Sequence, residues 1–284
     1  MNQEYIKADN WSIIEEGFDQ EMVKSSESLF SLGNGAMGQR ANFEETYSGP
    51  TFQGSYIAGV YYPDKTRVGW WKNGYPEYFA KVLNAPNWIG IDVLVNGAVF
   101  DLYTCSKVSD FRRELNMKEG WYQRSFCATT PNNLIIKARI TRFLSLDLDE
   151  IGAIKYEIEV VNADAEITFM PYLDSGITNE DSNWDDQFWN TTSVSSKGSR
   201  AYIEAHTMKT NFETCTFMDT EIFLDGKKIE IKPSEKKKET FVGHTYAYKV
   251  KKGVPISLHK FGGYTVSRNH KSTELVKAAD TAFK

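Results

Sequence analysis

The sequence predicts an all-β protein, built as a large antiparallel super-β-sandwich, from two hairpin signals and several alternating segments. In residues 91–100 an Asn-Gly pair separates two apolar runs, and in residues 220–231 an Asp-Gly pair does the same. Such pairs are the strongest short-range signal for a hairpin. In residues 154–160 apolar side chains alternate strictly with charged ones, and residues 134–140 and 246–250 follow the same rule. This is the pattern of strands with one wet face, at the spacing of a sandwich.

The composition is that of a soluble globular protein and leaves small neutral ligands open. The chain has 284 residues, of which 41% are hydrophobic, 25% charged and 14% aromatic, with a formal net charge of −5. That length allows one large or two ordinary domains. The negative charge argues against nucleic acid or an anionic membrane surface as the main partner. The first residues lack a signal peptide, and no long apolar run occurs, so we expect a cytoplasmic protein.

Cysteines and histidines give no support for a metal site. Cys105, Cys127 and Cys215 are far apart and form no CxxC pair, which suits reduced thiols that pack as small hydrophobic residues. The four histidines show no HExxH or similar spacing. We therefore predict that the chain binds no metal.

The N-terminal elements are short. Residues 11–18 alternate imperfectly and predict an edge strand or a turn. Residues 33–38 fit GxGxxG by letter, but that motif indicates a nucleotide site only between a strand and a helix, and no βαβ pattern follows. A tight turn with Asn34 and Gly35 at positive φ is the better interpretation.

An aromatic, cationic segment follows at residues 61–79. Its prolines and glycines predict a loop, while its tryptophans and tyrosines carry too much apolar area to lie free in water. The segment either packs on its own domain or forms the mouth of a sugar pocket. In the second case aromatic rings contact the C–H faces of a pyranose, while Arg67, Lys72 and Asn73 hydrogen-bond to hydroxyl groups or an anion.

Acidic side chains offer a further candidate site. Glu180, Asp181, Asp185 and Asp186 stand beside three aromatic residues, of which Trp189 is the last. Paired carboxylates serve glycosidases as acid and base or nucleophile, but such a run is more often a solvated loop with a few anchoring aromatics. Residues 44–45, a Glu-Glu pair, are open to the same two interpretations. No GxSxG motif occurs, so the residues alone reveal no complete catalytic apparatus.

The last residues predict a helix. Ser272 is a possible N-cap, and Leu275, Ala279 and Phe283 fall on one stripe. Neither Gly nor Pro stops this helix, so we expect it to continue in a longer protein, with a frayed terminal helix as the alternative.

These segments together resemble glycoside hydrolase family 65, the disaccharide phosphorylases. Residues 27–45 match its opening signature SLGNGxxGxRGxxEE, with Ala41 where the family usually has Gly. The resemblance continues in order over nearly the whole chain. Its further matches are residues 52–61, 84–88, 111–117, 123–126, 142–145 and 174–179. Residues 62–79 resemble the branch that cleaves maltose, and the branches that cleave trehalose or kojibiose are the alternatives.

The resemblance implies a fold and a reaction. Family members carry an N-terminal super-β-sandwich of the galactose mutarotase-like type, a helical linker, an (α/α)6 catalytic barrel and a small C-terminal sheet. We expect residues 1–270 to form the sandwich and residues 271–284 to begin the linker. The family cleaves a disaccharide with inorganic phosphate as co-substrate, inverts the anomeric centre and needs one general acid. That glutamate and the phosphate loop belong to the barrel, so the resemblance implies no catalytic residue and no cofactor on this chain.

The resemblance also suggests partners and a role in binding. The sandwich would support its barrel, contribute to a homodimer and offer loops at the rim of the substrate pocket. A domain without its barrel should expose an apolar patch and self-associate. The alternatives are a free-standing carbohydrate-binding sandwich and a complete hydrolase that uses the acidic segment. The first candidate rim residues are Arg67, Trp70, Trp71, Lys72, Asn73 and Tyr75, and the second are Asp185 and Trp189.

Overall fold

The computed structural model describes residues 5–66, 74–179 and 187–284. Strands make up 53% of the described residues and pair in antiparallel sheets, as the alternating segments predict. The strands of the first half are β1 (Ile6–Ala8), β2 (Ser12–Glu16), β3 (Leu32–Gly33), β4 (Met37–Gln39), β5 (Ser55–Ile57), β6 (Tyr61–Lys65), β7 (Tyr78–Val82), β8 (Ile91–Val95), β9 (Ala98–Val99), β10 (Lys107–Asn116), β11 (Trp121–Thr129) and β12 (Ile135–Leu144).

The second half contributes the longer strands of the core. Its elements are β13 (Ile151–Val160), β14 (Ala165–Asp174), β15 (Trp189–Lys197), β16 (Arg200–Thr207), β17 (Glu213–Leu224), β18 (Lys227–Ile229), β19 (Ser234–Lys237), β20 (Phe241–Val250) and β21 (Ile256–Val266). The α-helices are α1 (Val23–Leu29) and α2 (Leu275–Ala282).

Two sheets form the sandwich. The large sheet runs in the order β1-β2-β10-β11-β12-β13-β21-β17-β16-β15, with β18 paired to β17. The smaller sheet has the order β19-β20-β14-β8-β9. The apolar side chains of both sheets meet in one core, where Trp88, Tyr156 and Phe169 are among the largest buried residues. The predicted sandwich is confirmed.

A buried lysine joins the two sheets. Lys260 of β21 is fully buried, and its ammonium group donates to the carbonyl oxygens of Gly90 and Tyr172, each at 2.8 Å. Burial lowers the pKa of Lys260 well below its ordinary value, and the Asp92 carboxylate partly offsets that effect. The large sheet is thereby tied to β14 and to the start of β8 by polar as well as apolar contacts.

Both predicted hairpins form. β8 and β9 are joined by Asn96 and Gly97, which have φ of 51° and 80°. β17 and β18 are joined by Asp225 and Gly226, with φ of 46° and 73°. Two consecutive residues at positive φ match the right-handed twist of the flanking strands, which explains the Asx-Gly pairs.

Two N-terminal predictions need correction. β2 is not an edge strand, because β1 pairs on its outer side and β10 on its inner side. In the glycine-rich turn, Gly35 has φ of 92°, but Asn34 does not reach positive φ. Its side-chain oxygen instead accepts from the backbone N–H groups of Ala36 and Met37, at 3.1 and 2.9 Å. A strand, β4, follows this turn, so the segment lacks the helix of a dinucleotide loop.

The C-terminal helix packs on the outer face of the large sheet. A 3-10 turn occupies residues 272–274, and α2 begins at Leu275, so Ser272 does not cap the α-helix. Leu275 and Ala279 are buried against Phe217, and the Phe283 ring meets the Phe217 ring edge-on at 5.2 Å. The predicted stripe is therefore the packed face.

The three cysteines are free thiols. Cys215 is fully buried, as predicted for a small hydrophobic residue, whereas Cys105 and Cys127 are only partly buried.

Candidate functional site

The glycine-rich segment 27–45 supplies buried charges to the interior of the domain. Arg124 of β11 donates to Glu45 at 2.7 Å and to Glu44 at 3.2 Å, and Arg142 of β12 lies 3.3 Å from Glu44. All four side chains are buried. Burial lowers the pKa of Arg124, but the Glu45 and Glu44 carboxylates outweigh it and raise the pKa above its ordinary value.

This network is structural. Each carboxylate faces a guanidinium group, and the Arg124 guanidinium also lies over the Phe43 ring, 4.0 Å from its centroid. Removing one member would leave an uncompensated buried charge. Of the two interpretations of the Glu-Glu pair, the geometry favours a role in folding over one in catalysis.

Three other residues of the same segment fix residues 51–54. Glu27 of α1 accepts from the Phe52 backbone N–H at 2.7 Å and from the Thr51 hydroxyl. Arg40 donates from Nε to the Phe52 carbonyl at 3.0 Å, and Asn42 donates to the same carbonyl at 2.6 Å. Glu27 and Asn42 are buried, so their bonds are partly shielded from water, whereas the Arg40 bond is exposed. Together the three side chains hold residues 51–54 in one position.

Gly54 permits this arrangement. A Cβ at position 54 would lie 2.3 Å from Cδ of Arg40 and 2.6 Å from the Tyr56 hydroxyl. Only glycine leaves room for the Arg40 side chain to cross the segment.

A second set of side chains fixes the facing segment. Asn84 accepts from the Ser55 N–H at 2.9 Å and donates to the Gln53 carbonyl at 3.3 Å. The Asn84 N–H donates to the side chain of Asn179 at 2.8 Å, and Asn179 donates to the Val82 carbonyl at 3.0 Å. The end of β7 and the chain after β14 therefore lie side by side.

A pocket of about 310 Å³ opens between these two fixed segments. Its walls combine two aromatic rings, an aliphatic side chain, three amides and a guanidinium group. They come from Arg40, Phe52, Gln53, Tyr56, Val82, Asn84 and Asn179. We refer to it below as the amide pocket.

The family assignment follows from sequence comparison. Residues 13–284 match the family model described as the glycosyl hydrolase family 65 N-terminal domain. The chain belongs to glycosyl hydrolase family 65.

Named relatives agree with this family. The chain is 43% identical over 98% of its length to maltose phosphorylase of Bacillus subtilis, of which it covers 36%. It is 30% identical over 95% of its length to α,α-trehalose phosphorylase of Thermoanaerobacter brockii, again covering 36%. A solved structure from the human microbiome, assigned as a kojibiose phosphorylase, matches with a TM-score of 0.84, 26% identity and 98% coverage of this chain. The chain covers 35% of that structure.

In this family 65 domain, most of the predicted rim residues fall outside the part of the chain that the structure describes. Arg67, Trp70, Trp71, Lys72, Asn73 and Asp185 lie outside the described residues, as do Glu180, Asp181 and Asp186. Tyr75 is described, and 58% of its surface is exposed. It precedes β7, which pairs with β6 in a two-stranded ribbon.

Trp189, the other residue of the second candidate rim pair, is buried. It is only 4% exposed, and its indole N–H donates to the Asn84 carbonyl at 2.8 Å. The ring therefore packs inside the domain beside the segment that carries Asn84. Its place next to the acidic segment in the sequence does not indicate this burial.

Sequence reasoning missed the amide pocket itself. Its usable signal was the set of buried polar residues in the family 65 signature, Glu27 and Asn42 above all, because buried polar groups must find partners. Those partners, residues 51–54, lie outside the signature and have no pattern of their own.

Other kinds of site find no support within residues 5–66, 74–179 and 187–284 of this family member. No group of three or more histidine, cysteine, aspartate or glutamate side chains there is placed to hold a metal ion. No helix in that part of the chain is long and apolar enough to cross a membrane.

Proposed function

We propose that this chain is the non-catalytic N-terminal domain of an inverting disaccharide phosphorylase that cleaves maltose with inorganic phosphate. The products are β-glucose 1-phosphate and glucose. The observation that carries the proposal is the 43% identity to a maltose phosphorylase, against 30% to a trehalose phosphorylase, over nearly the same share of the chain.

The chemistry explains why this domain needs no catalytic group. Phosphate is already an anionic nucleophile, so the reaction needs a general acid for the leaving oxygen and no general base. In this proposal both the acid and the phosphate site lie in an (α/α)6 barrel that follows the domain. The buried state of Glu44 and Glu45, each facing an arginine, supports this division of roles.

The proposal includes the position of the domain in the whole enzyme. Residues 1–270 form the sandwich, and residues 271–284 begin the linker to the barrel, which the packing of α2 on the large sheet supports. The enzyme is a cytoplasmic homodimer that requires phosphate as co-substrate and no further cofactor. The family match supports these assignments.

In this proposal the ribbon of β6 and β7 contacts the barrel at the rim of its substrate pocket. Tyr75, Tyr78 and Phe79 are each 45% to 58% exposed, a density of exposed aromatic side chains that indicates a contact surface. Residues 67–75, which include the predicted rim residues, lie between the two strands in sequence. In this proposal the ribbon carries them to the barrel.

A kinetic comparison tests whether Tyr75 lies at the rim of the substrate pocket. In the enzyme encoded by the complete reading frame, Tyr75→Ala should raise KM for maltose several-fold. The matched control is Tyr103→Ala, since Tyr103 is also exposed but packs near Tyr47, away from the ribbon. Equal kinetics for the two variants would remove Tyr75 from the rim.

A comparison of three disaccharides tests which substrate the enzyme prefers. The same enzyme should release glucose 1-phosphate from maltose in the presence of phosphate, and much more slowly from trehalose and kojibiose. Preference for either of the other two sugars would overturn the assignment of maltose, while keeping that of a phosphorylase.

A further inference from the structure

We propose that the amide pocket binds one hexose unit of a neutral saccharide, as a non-catalytic site on the sandwich itself. The inference does not depend on the proposed reaction, because every residue that forms the pocket lies in this chain.

The first wall is held before any ligand arrives. The segment that carries Phe52 and Gln53 is fixed by Glu27, Arg40 and Asn42 through bonds to its backbone, which leaves both side chains free to face the pocket. Holding a segment by its backbone reduces the conformational entropy that binding must otherwise remove. Asn84 also donates to the Gln53 carbonyl, so the two walls are joined to each other.

The available groups suit a sugar. Phe52 is 37% exposed and Val82 is 61% exposed, which provides apolar surface for the C–H groups of a pyranose. The Gln53 side-chain amide can both donate and accept, as hydroxyl groups require. A few placed polar groups on an apolar wall are the usual composition of a small-molecule site.

The volume and the charge of the amide pocket limit the class of ligand that it can bind. About 310 Å³ is at the lower end of the range for ligand pockets, which favours a single ring within the pocket over an oligosaccharide. The Arg40 guanidinium lies 3.8 Å from the buried Glu27 carboxylate, which offsets its positive charge. Lys24 adds a second cation, with Nζ 4.1 Å from the centroid of the Phe52 ring. The charge at Arg40 is therefore balanced, which favours a neutral ligand, and Lys24 makes inorganic phosphate the competitor to test.

The test is a titration of the 284-residue chain with maltose, in buffer without phosphate, followed by calorimetry or by NMR of labelled backbone amides. We expect saturable binding with Kd of about 1 mM. Phe52→Ala should weaken it at least about tenfold, and Gln53→Ala should do the same. Phe143→Ala is the matched control, because Phe143 is 45% exposed and does not line the pocket.

Each outcome decides the proposal. Unchanged circular dichroism in both variants, together with lost affinity, supports it, and the Gln53 variant provides a second test if Phe52→Ala does not fold. Absence of saturable maltose binding overturns it. So does binding that neither variant weakens, or binding of inorganic phosphate without binding of maltose. Because the assay measures no turnover, its failure leaves the proposed phosphorylase function untouched.

Discussion

At the scale of single residues, the buried arginines show most clearly how distant parts of the chain depend on each other. Arg113, Arg124 and Arg142 occupy inward-facing positions of strands that otherwise bury apolar residues. Their partners come from Glu15, Glu44 and Glu45, up to about a hundred positions away. A local pattern contains no sign of such pairing, so the sequence could not decide between structure and catalysis for the Glu-Glu pair.

Replacing one member of this network should be costly. Glu45→Gln removes the charge that faces Arg124 and places an amide donor against its guanidinium group, so we expect a loss of about 3 to 5 kcal/mol in the free energy of unfolding. Urea denaturation of the 284-residue chain measures it.

A partly exposed ion pair provides the control for that measurement. Lys155 and Glu157 lie 2.9 Å apart, with 49% and 34% of their side chains exposed. Glu157→Gln should cost less than about 1 kcal/mol, because water screens the pair. Similar losses for the two variants would show that the Glu45 carboxylate is not held as the structure indicates.

At the scale of elements, the fold was predictable where local chemistry decides it. The hairpin turns at Asn96 and Asp225 and the apolar stripe of α2 follow from backbone preference and periodicity. A cap at Ser272 starts α2 too early, because residues 272–274 form a 3-10 turn and the α-helix begins at Leu275. The prolines and glycines of residues 61–79 predict a loop, yet Pro63 lies in β6, a strand of a two-stranded ribbon.

The turn between β3 and β4 should stabilise a second turn through the side chain of Asn34. The Asn34 side chain donates to the carbonyls of Ser145 and Asp149, at 2.7 and 2.8 Å, and accepts from two N–H groups of its own turn. Asn34→Ala should therefore lower the free energy of unfolding by about 2 to 4 kcal/mol. It should also speed hydrogen exchange in residues 145–151, which mass spectrometry can follow.

Asn116→Ala is the control for this effect. Asn116 accepts from the N–H groups of Lys118 and Glu119 within its own turn and makes no bond to residues 145–151. If exchange in residues 145–151 is the same in both variants, Asn34 does not link the two turns.

At the scale of the whole molecule, assembly of the two sheets could not be predicted. Lys260 would be assigned to a solvated face from its residue type, yet the sandwich buries it between β21 and β14. The amide pocket could not be predicted for the same reason, because its walls come from segments far apart in sequence, namely the residues around β4 and β5, the end of β7 and the chain after β14. The hairpin signals, the alternating segments and the family signature predicted the sandwich and the family, and the site required the tertiary structure.

Exposed apolar side chains support the expectation that the chain self-associates. Leu146 and Leu148, which follow the end of β12, are 80% and 51% exposed. They add to the exposed aromatic side chains of the β6 and β7 ribbon. Such surface is typical of a face that contacts another protein surface, and it agrees with the expected tendency of the chain to self-associate.

The most direct test of this account is phosphorolysis of maltose, assayed side by side for the 284-residue chain and for the protein encoded by the complete reading frame. We predict glucose 1-phosphate only from the longer protein, and only when inorganic phosphate is present. Turnover of maltose by the 284-residue chain alone, with or without phosphate, would contradict the conclusion that it is a non-catalytic domain.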